Sequence, residues 1–307
     1  KIQLEVEKVE NGVIYAKVLT DGILKQRKGI NIPGSQGSLD VLTERDKMFV
    51  EFASKHDIDY LGLSFVRNAD DVIKLRQLLA SFGDRTTKII SKIEKPQAVE
   101  NIDEIINVSD GIMVARGDLG IEISTEKVPI VQKTIIRKAN SSRKVVIVAT
   151  QMLESMIENP IPTRAETSDV ANAILDGTDA IMLSGETAAG AYPIEAVTMM
   201  KKIADTVEES QFMRKNKFPR KMIDEERDSQ AMAIGMSIAD MARKMKVKAV
   251  IALTASGYTP AMLSEAKLSV PIFACCPCKN ICRSIKLYRG VNPIPLDFEN
   301  TIDKKSL

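Results

Sequence analysis

Residues 88–118 read KIISKIEKPQAVENIDEIINVSDGIMVARGD, and their pattern indicates the fold class of the protein. It holds two short apolar segments, 88–93 and 111–115, with a predicted helix between them at 97–108. Neither apolar segment alternates apolar and polar residues, which is typical of parallel strands that are buried on both faces. The stretch therefore predicts a strand–helix–strand unit of a parallel sheet.

The alternation of predicted strands and helices continues along the chain on both sides of this stretch. Five apolar strands are predicted, at 60–66, 88–93, 111–115, 144–149 and 179–184. Helices are predicted at 43–56, after Asn68, at 97–108, at 127–140, at 166–176 and from Pro193. The first helix opens with a variant of the capping box, Thr43 followed by Asp46, and is expected to bury Met48, Phe49 and Phe52.

Polar residues follow four consecutive strands at the point where each strand ends. They are Lys92 and Glu94, then Arg116 to Asp118, then Thr150, and then Ser184 with Glu186. In a (β/α)8 TIM barrel the carboxyl ends of the strands form the catalytic face. A doubly wound sheet is the rival, but it binds ligands at one switch point. The pattern favours a partial TIM barrel of the α/β class, with five βα units present.

Three domains are predicted. Residues 1–34 contain a hairpin around Glu10-Asn11-Gly12 and are expected to be the tail of a small β domain. Residues 35–212 form the second part of the barrel, and 213–307 form a second α/β domain that is incomplete. Because the chain begins at Lys1 and five strands cannot close a barrel, it is expected to be a piece of a longer protein, inactive alone.

Composition excludes several classes of protein. Hydrophobic residues make up 44% and charged residues 27%, which is enough for a packed core. The 43 Lys and Arg residues against 41 acidic residues leave a net charge of +2, so no nucleic-acid partner is expected. Apolar runs are too short for a membrane helix, and the opening residues are no signal peptide. The four cysteines, all between 275 and 282, do not resemble a secreted disulfide framework.

Lys92 and Glu94 are two apart on a strand, so both side chains point to the same side. Asp118 follows the next strand. Two carboxylates from adjacent strand ends suit a hard divalent cation such as Mg²⁺, and Lys92 beside it would neutralise a phosphoryl or enolate oxygen. A structural Lys–Glu ion pair fits the same pattern.

Glycines flank Asp118 at 117 and 120, where they let backbone N–H groups approach an anion; a tight turn is the alternative. Thr150 and Ser184 are hydroxyls for which helix capping is the commoner role.

Several longer motifs resemble those of the pyruvate kinase family. They are residues 27–34, RKGINIPG; 91–96, SKIEKP; 110–120, DGIMVARGDLG; 149–156, ATQMLESM; 163–166, TRAE; and 182–188, MLSGETA. The likeness runs from residue 1 to about residue 300 and keeps the motifs in order.

The resemblance implies a glycolytic phosphotransferase that moves the phosphoryl group of phosphoenolpyruvate to ADP, giving pyruvate and ATP. By position, Lys92 neutralises the migrating phosphoryl group, and Glu94 and Asp118 hold Mg²⁺ or Mn²⁺. The N–H groups of Gly117 and Asp118, with the Thr150 hydroxyl, receive the substrate carboxylate. Phosphoryl transfer needs mainly positioning and charge stabilisation, so this set is coherent.

The resemblance also implies residues for nucleotide binding and for protonation of the enolate. Lys28, in the tail of the inserted β domain, matches a nucleotide-contacting lysine, and Ser184 and Glu186 would lie near the enolate and take part in its protonation. The family's K⁺ ligands would precede Lys1. A cytoplasmic homotetramer with a regulatory C-terminal domain is implied as well.

A loop in the C-terminal domain matches the segment where related enzymes bind a sugar-phosphate effector. Its candidate residues are Thr254, Ser256, Gly257 and Thr259. The arginine–proline pair often found farther on in the family is missing at 264–268, so a simple loop remains an alternative.

Two other functions compete with phosphotransfer. A metal-dependent lyase or aldolase also uses a barrel with paired carboxylates, but it needs neither Lys28 nor an appended α/β domain. A non-catalytic remnant of the same fold is the other alternative. The cysteine cluster fits no common zinc spacing and is expected to hold thiols.

Overall fold

A computed structural model describes residues 2–24, 26, 40–210, 226–268 and 270–296. The chain divides into two compact units, residues 1–37 and residues 38–307. Lys28 lies outside the described residues. In the described part of the chain, no helix is long and apolar enough to cross a membrane.

The first unit contains a β-hairpin. Strand β1 (Leu4–Glu10) pairs antiparallel with β2 (Val13–Val18), as the sequence predicts. Asn11 and Gly12 form the turn with φ values of 51° and 77°. Two positive φ values are the requirement of the tight hairpin turn, and Asn-Gly meets it at little conformational cost.

The core of the second unit is a five-stranded parallel sheet with the order β3-β4-β5-β6-β7. Its strands are β3 (Tyr60–Leu63), β4 (Lys88–Ile93), β5 (Gly111–Ala115), β6 (Val145–Ala149) and β7 (Ala180–Met182). The three central strands are almost wholly buried, which confirms the prediction from their apolar sequences. Because every strand is parallel to its neighbour, all five carboxyl ends meet at one edge.

Nine helices are described alongside this sheet, within residues 40–210. They are α1 (Glu44–Ser54), α2 (Ala69–Ser81), α3 (Pro96–Glu100), α4 (Ile102–Val108), α5 (Arg116–Glu122), α6 (Val128–Ser141), α7 (Arg164–Leu175), α8 (Gly185–Ala188) and α9 (Pro193–Glu209). The single helix predicted at 97–108 is interrupted at Asn101, which has φ −95° and ψ 19°. The Asn101 side-chain amide donates to the Arg67 carbonyl at 3.0 Å, a bond that competes with a regular helical conformation at this residue.

The prediction for the face that α1 buries is wrong. Met48, Phe49 and Phe52 are 70%, 56% and 58% exposed, whereas Val50 and Ala53 are buried. A surface helix packs through one stripe of residues, and here the stripe of small apolar side chains faces the core. The larger apolar stripe is left uncovered by the described residues.

A second parallel sheet follows, with the order β10-β9-β8. It consists of β8 (Val250–Leu253), β9 (Ile272–Cys276) and β10 (Val291–Pro295), with α10 (Glu226–Lys244), α11 (Tyr258–Glu265) and α12 (Lys279–Ser284) between or before them. The predicted α/β alternation in this part of the chain is confirmed. The predicted domain boundary at 212 lies within residues 211–225, which are not described.

Two of the four cysteines form a disulfide, so the expectation of four thiols is wrong. Cys276 ends β9 and Cys282 lies in α12, and both are buried with their Cα atoms 6.0 Å apart. The strand-to-helix turn brings them together. Cys275 and Cys278 are free.

Candidate active site

Lys92 and Glu94 form an ion pair at the carboxyl end of β4. The distance from Lys92 Nζ to Glu94 Oε1 is 2.8 Å. The two side chains leave the same side of the extended chain, as their spacing predicts. Glu94 is 1% exposed, whereas the Lys92 side chain keeps 27% of its exposure. The pair is thus anchored through a buried carboxylate and reaches solvent through the lysine.

The Glu94 carboxylate is incompletely satisfied by the protein. Its Oε2 accepts a hydrogen bond from the Phe65 N–H at 2.7 Å. Its Oε1 is buried and has no hydrogen bond of good geometry in the described residues, where its partner is the Lys92 ammonium alone. A buried carboxylate oxygen with so little compensation is costly unless a cation is at hand. Oε1 is therefore available to a metal ion.

Asp118 offers a second carboxylate at the next strand end. It lies in the first turn of α5, which begins directly after β5. Strand β4 pairs with β5 so that Ile93 is opposite Val114, which places Glu94 and the start of α5 at the same edge. Within the described ranges, no hydrogen bond or ion pair occupies the half-buried Asp118 carboxylate.

The donor set of Glu94 and Asp118 fits Mg²⁺ or Mn²⁺. Mg²⁺ typically takes one or two carboxylates and completes its shell with water and substrate oxygens. The described residues contain no cluster of three or more His, Cys, Asp or Glu side chains that could hold a metal ion by themselves.

Gly117 and Thr150 connect the ends of β5 and β6. The Gly117 N–H donates to Thr150 Oγ1 at 2.7 Å, and the Thr150 hydroxyl donates to the Ala149 carbonyl at 2.6 Å. A Cβ at position 117 would lie 3.3 Å from Thr150 Oγ1, which is tighter than an ordinary contact. Glycine is therefore what permits this close approach of backbone to hydroxyl.

Arg116 supports the Thr150 segment, a role that the sequence analysis missed. Its guanidinium donates to the Thr150 carbonyl at 2.9 Å and the Gln151 carbonyl at 3.0 Å. Thr150 and Gln151 have φ values of 69° and 53°, in the left-handed region that such residues seldom adopt. Arg116 is almost fully buried and pairs with Asp169 at 2.6 Å. The available signal was the position of Arg116 among the polar residues that follow strands; its burial, which implies a partner, is visible only in the structure.

Glu186 connects the loops that follow β6 and β7. It is 2% exposed, and its two oxygens accept the N–H groups of Ser184, at 2.8 Å, and Leu153, at 3.1 Å. Ser184 is half-buried, and its hydroxyl makes no hydrogen bond within the described ranges. The geometry makes Glu186 a support for the Ser184 backbone and leaves the Ser184 hydroxyl available.

Ser64 and Phe65 are further residues that the sequence analysis did not select. They directly follow β3, and Lys92 Nζ donates to Ser64 Oγ at 2.7 Å. The rule that polar residues at strand ends form the site misses Ser64, because the predicted strand 60–66 includes it, whereas β3 ends at Leu63.

The predicted effector loop lies in the other sheet, after β8. Thr254 Oγ1 accepts the Gly257 N–H at 2.8 Å, and Ser256 Oγ accepts the Tyr258 N–H at 3.4 Å. Gly257 has a φ of 87°, which explains a glycine at this turn. The loop's polar groups thus bond within the loop, and an effector role for Thr254, Ser256, Gly257 and Thr259 stays a prediction.

The fold and the site together define a class: a parallel α/β protein with a cation, two carboxylates and hydroxyls at successive strand ends. A family model described as "Pyruvate kinase, barrel domain" matches residues 1–197. A second, described as "Pyruvate kinase, alpha/beta domain", matches residues 232–306. The chain belongs to the pyruvate kinase family, and the resemblance drawn from its motifs is confirmed.

Curated relatives agree with the family models. A pyruvate kinase of Sporosarcina psychrophila is 47% identical over 305 residues, which cover 99% of this chain and 52% of the relative. A pyruvate kinase of Clostridium perfringens is 44% identical over 305 residues, covering 99% of this chain and 64% of that protein. One of Geobacillus stearothermophilus is 45% identical, with 99% and 52% covered. The chain therefore spans between about half and two thirds of the length of these relatives.

Proposed function

We propose that the protein transfers the phosphoryl group of phosphoenolpyruvate to ADP, forming pyruvate and ATP. The observation that carries this proposal is the Lys92–Glu94 pair, in which a partly exposed ammonium lies 2.8 Å from a buried, under-satisfied carboxylate. An ammonium beside a carboxylate that can bind a metal cation suits a reaction whose transition state carries negative charge on phosphoryl oxygens.

Glu94 and Asp118 would hold the divalent cation. When bound, Mg²⁺ or Mn²⁺ supplies positive charge that stabilises the phosphoryl and enolate oxygens. Lys92 adds a second positive charge on the same side of the sheet edge. Its ammonium has three N–H donors; in the described residues one of them donates to Ser64 Oγ, and the ammonium also forms the ion pair with Glu94. A remaining N–H would bind the migrating phosphoryl group.

The substrate carboxylate would bind at the end of β5. Gly117 and Asp118 offer backbone N–H groups there, and Thr150 offers its hydroxyl. Because the Gly117 N–H and Thr150 Oγ1 bond to each other, a substrate oxygen would replace that hydrogen bond. Arg116 keeps Thr150 in place during this exchange.

Ser184 and Glu186 would serve the proton transfer to the enolate methylene carbon. The available Ser184 hydroxyl is the group that can donate and accept a proton. Glu186 fixes the Ser184 backbone through the N–H bond of 2.8 Å. Lys28 would contact the nucleotide, and the K⁺ ligands would lie outside this sequence.

The five-stranded sheet is proposed to be part of an eight-stranded TIM barrel. The order β3 to β7, with all strands parallel and each beside its neighbour in sequence, supports a barrel. The uncovered stripe of Met48, Phe49 and Phe52 would be covered by further barrel elements, as the greater length of the relatives suggests. Residues 1–34, 35–212 and 213–307 would then belong to the inserted, barrel and C-terminal domains of a cytoplasmic homotetramer.

The test is ATP formation by the natural protein from phosphoenolpyruvate and ADP, with Mg²⁺ present and then chelated. We expect ATP and pyruvate in equal amounts and no reaction after chelation. Pyruvate formed without ATP, from an aldol substrate, would indicate the lyase alternative. Binding of phosphoenolpyruvate with no product would indicate the non-catalytic remnant.

A further inference from the structure

Ser64 fixes the position of the Lys92 ammonium. Strand β3 pairs with β4 so that Leu63 is opposite Ser91, and the next residues along, Ser64 and Lys92, are therefore neighbours. Lys92 Nζ lies 2.7 Å from Ser64 Oγ and 2.8 Å from Glu94 Oε1. A lysine has a long, flexible side chain, so two partners on different strands greatly restrict where its charge can be.

Phe65, the next residue, fixes the Glu94 carboxylate through its backbone. Its N–H donates to Glu94 Oε2 at 2.7 Å, and its φ is 55°. This left-handed conformation is unfavourable for a bulky residue. The ring does not offset that cost by burial, because Phe65 is 49% exposed. The strained conformation directs the Phe65 N–H toward the buried Glu94 carboxylate.

We infer that Ser64 and Phe65 form a positioning turn, which orients Lys92 and Glu94 for phosphoryl transfer. Ser64 acts through its hydroxyl and Phe65 through its backbone N–H. Lys92 Nζ and Glu94 Oε1 lie 2.8 Å apart, so the turn holds the ammonium and this carboxylate oxygen side by side. This inference rests on the proposed function, and it assigns the turn no direct contact with substrate.

The Ser64 part is tested by steady-state kinetics of Ser64→Ala, Ser64→Thr and a control, Ser81→Ala. Ser81 also has a hydroxyl bonded within the protein, to the Leu78 carbonyl, but lies at the end of α2. We expect Ser64→Ala to lower kcat by about 10- to 100-fold, the range for losing a hydrogen bond to a charged group. KM for phosphoenolpyruvate should change less than about threefold, and Ser64→Thr should restore kcat to within about threefold. Ser81→Ala should match the wild type.

The Phe65 part is tested by Mn²⁺ binding, followed by electron paramagnetic resonance without substrate. Phe65→Gly keeps the N–H and adopts positive φ freely, so its Mn²⁺ Kd should stay within about threefold of the wild type. Phe65→Pro lacks the N–H and cannot adopt the turn, so its Kd should rise by about tenfold or more. Thermal unfolding of each variant shows whether it is folded.

Several outcomes overturn the inference. Unchanged kcat in Ser64→Ala, or no recovery in Ser64→Thr, removes Ser64 from the turn's function. Loss of Mn²⁺ binding in Phe65→Gly shows that the ring is what matters and contradicts the backbone role. If the wild type forms no ATP, the proposed function fails, and the Mn²⁺ comparison of the two Phe65 variants still decides whether the turn positions Glu94.

Discussion

Gly117, two residues after β5, approaches the Thr150 hydroxyl so closely that a larger side chain at position 117 would disturb the contact. An added Cβ would lie 3.3 Å from Thr150 Oγ1, so either Thr150 or the backbone must move. We expect Gly117→Ala to raise KM for phosphoenolpyruvate by about fivefold, equivalent to about 1 kcal/mol, because the N–H and hydroxyl lose alignment.

The control for this prediction is Gly120→Ala in the same helix. A Cβ at position 120 would meet Val128 Cγ2 at 3.7 Å, an ordinary contact. Steady-state kinetics of the two variants therefore separate crowding at Thr150 from a general effect on α5. Equal KM values for both variants would contradict the role given to Gly117.

Asp118 is the second residue whose role can be tested by a single substitution. Replacing Asp118 by Asn removes the charge of a proposed metal ligand but keeps the size of the side chain. We expect the Mg²⁺ concentration for half-maximal activity to rise about tenfold. Asp103→Asn is the control, because Asp103 is an exposed acidic residue paired with Lys138. A titration of Asp118→Asn that coincides with the wild type would remove Asp118 from the metal site.

Sequence patterns predict which candidate site residues follow the strands, but they do not predict the backbone conformation around those residues. Lys92 and Glu94 are selected by their spacing, because a strand alternates its side chains, and Asp118 is selected because it follows the next strand. The positive φ values at Phe65, Thr150 and Gln151 leave no trace in residue type, since none of these is a usual left-handed residue. Such conformations depend on tertiary partners, including Arg116 for Thr150.

At the scale of elements, capping decides where α7 begins. The helix starts at Arg164, whereas the sequence predicts a start at 166. The missed signal is the capping box of Thr163 and Glu166, in which each side chain bonds the other residue's backbone N–H. Glu166 also accepts two hydrogen bonds from Ser155, which attaches the turn after β6 to this helix.

These bonds make the stability of α7 depend on pH. Burial alone raises the pKa of Glu166, but hydrogen bonds from Ser155 and Thr163 outweigh it and bring the pKa below the ordinary value of 4.5. A carboxyl with a lowered pKa in the folded state stabilises the protein above its unfolded pKa, and loses that contribution as pH falls through the folded pKa. The contribution is therefore complete near neutral pH.

Glu166→Gln is expected to lower the thermal unfolding midpoint at pH 7, with the difference from wild type shrinking below about pH 4. Thermal scans from pH 3 to pH 8 measure this. Glu158→Gln is the matched control, because Glu158 is exposed and its side chain makes no bond within the described part of the chain. A difference that stays constant across the pH range would contradict the charge-assisted cap.

At the scale of the whole second unit, a buried ion pair connects the two parallel sheets. Lys267 follows α11 and pairs with Asp179, which precedes β7; their side chains are 2% and 5% exposed. Asp179 also accepts the Val146 N–H at 3.0 Å, so the pair is tied to β6 as well. No local pattern in the sequence predicts this contact, because the partners are 88 residues apart.

Lys267→Met should reduce the free energy of unfolding by about 3 kcal/mol, because it leaves the Asp179 carboxylate buried without its cation. Lys201→Met is the control, since Lys201 and Asp205 form an exposed pair, and exposed pairs contribute little to stability. Urea denaturation of both variants measures the difference. Equal losses would show that the buried pair stabilises the protein no more than an exposed pair does.

The alternation of strands and helices let the sequence predict both parallel sheets, because apolar strands separated by helices have few other solutions. The exposed stripe on α1 could not be predicted, since it depends on what surrounds the helix. We propose that the edge where β3 to β7 end is a phosphoryl-transfer site organised around Lys92.

The most direct test is ATP formation from phosphoenolpyruvate and ADP by Lys92→Met, compared with Lys138→Met on the surface of α6. We expect Lys92→Met to lower kcat by about a thousandfold or more while KM for phosphoenolpyruvate changes only a few-fold, the signature of a transition-state interaction. Lys138→Met should match the wild type. A fall in kcat of less than about tenfold in Lys92→Met, or about 1.4 kcal/mol, would contradict the account.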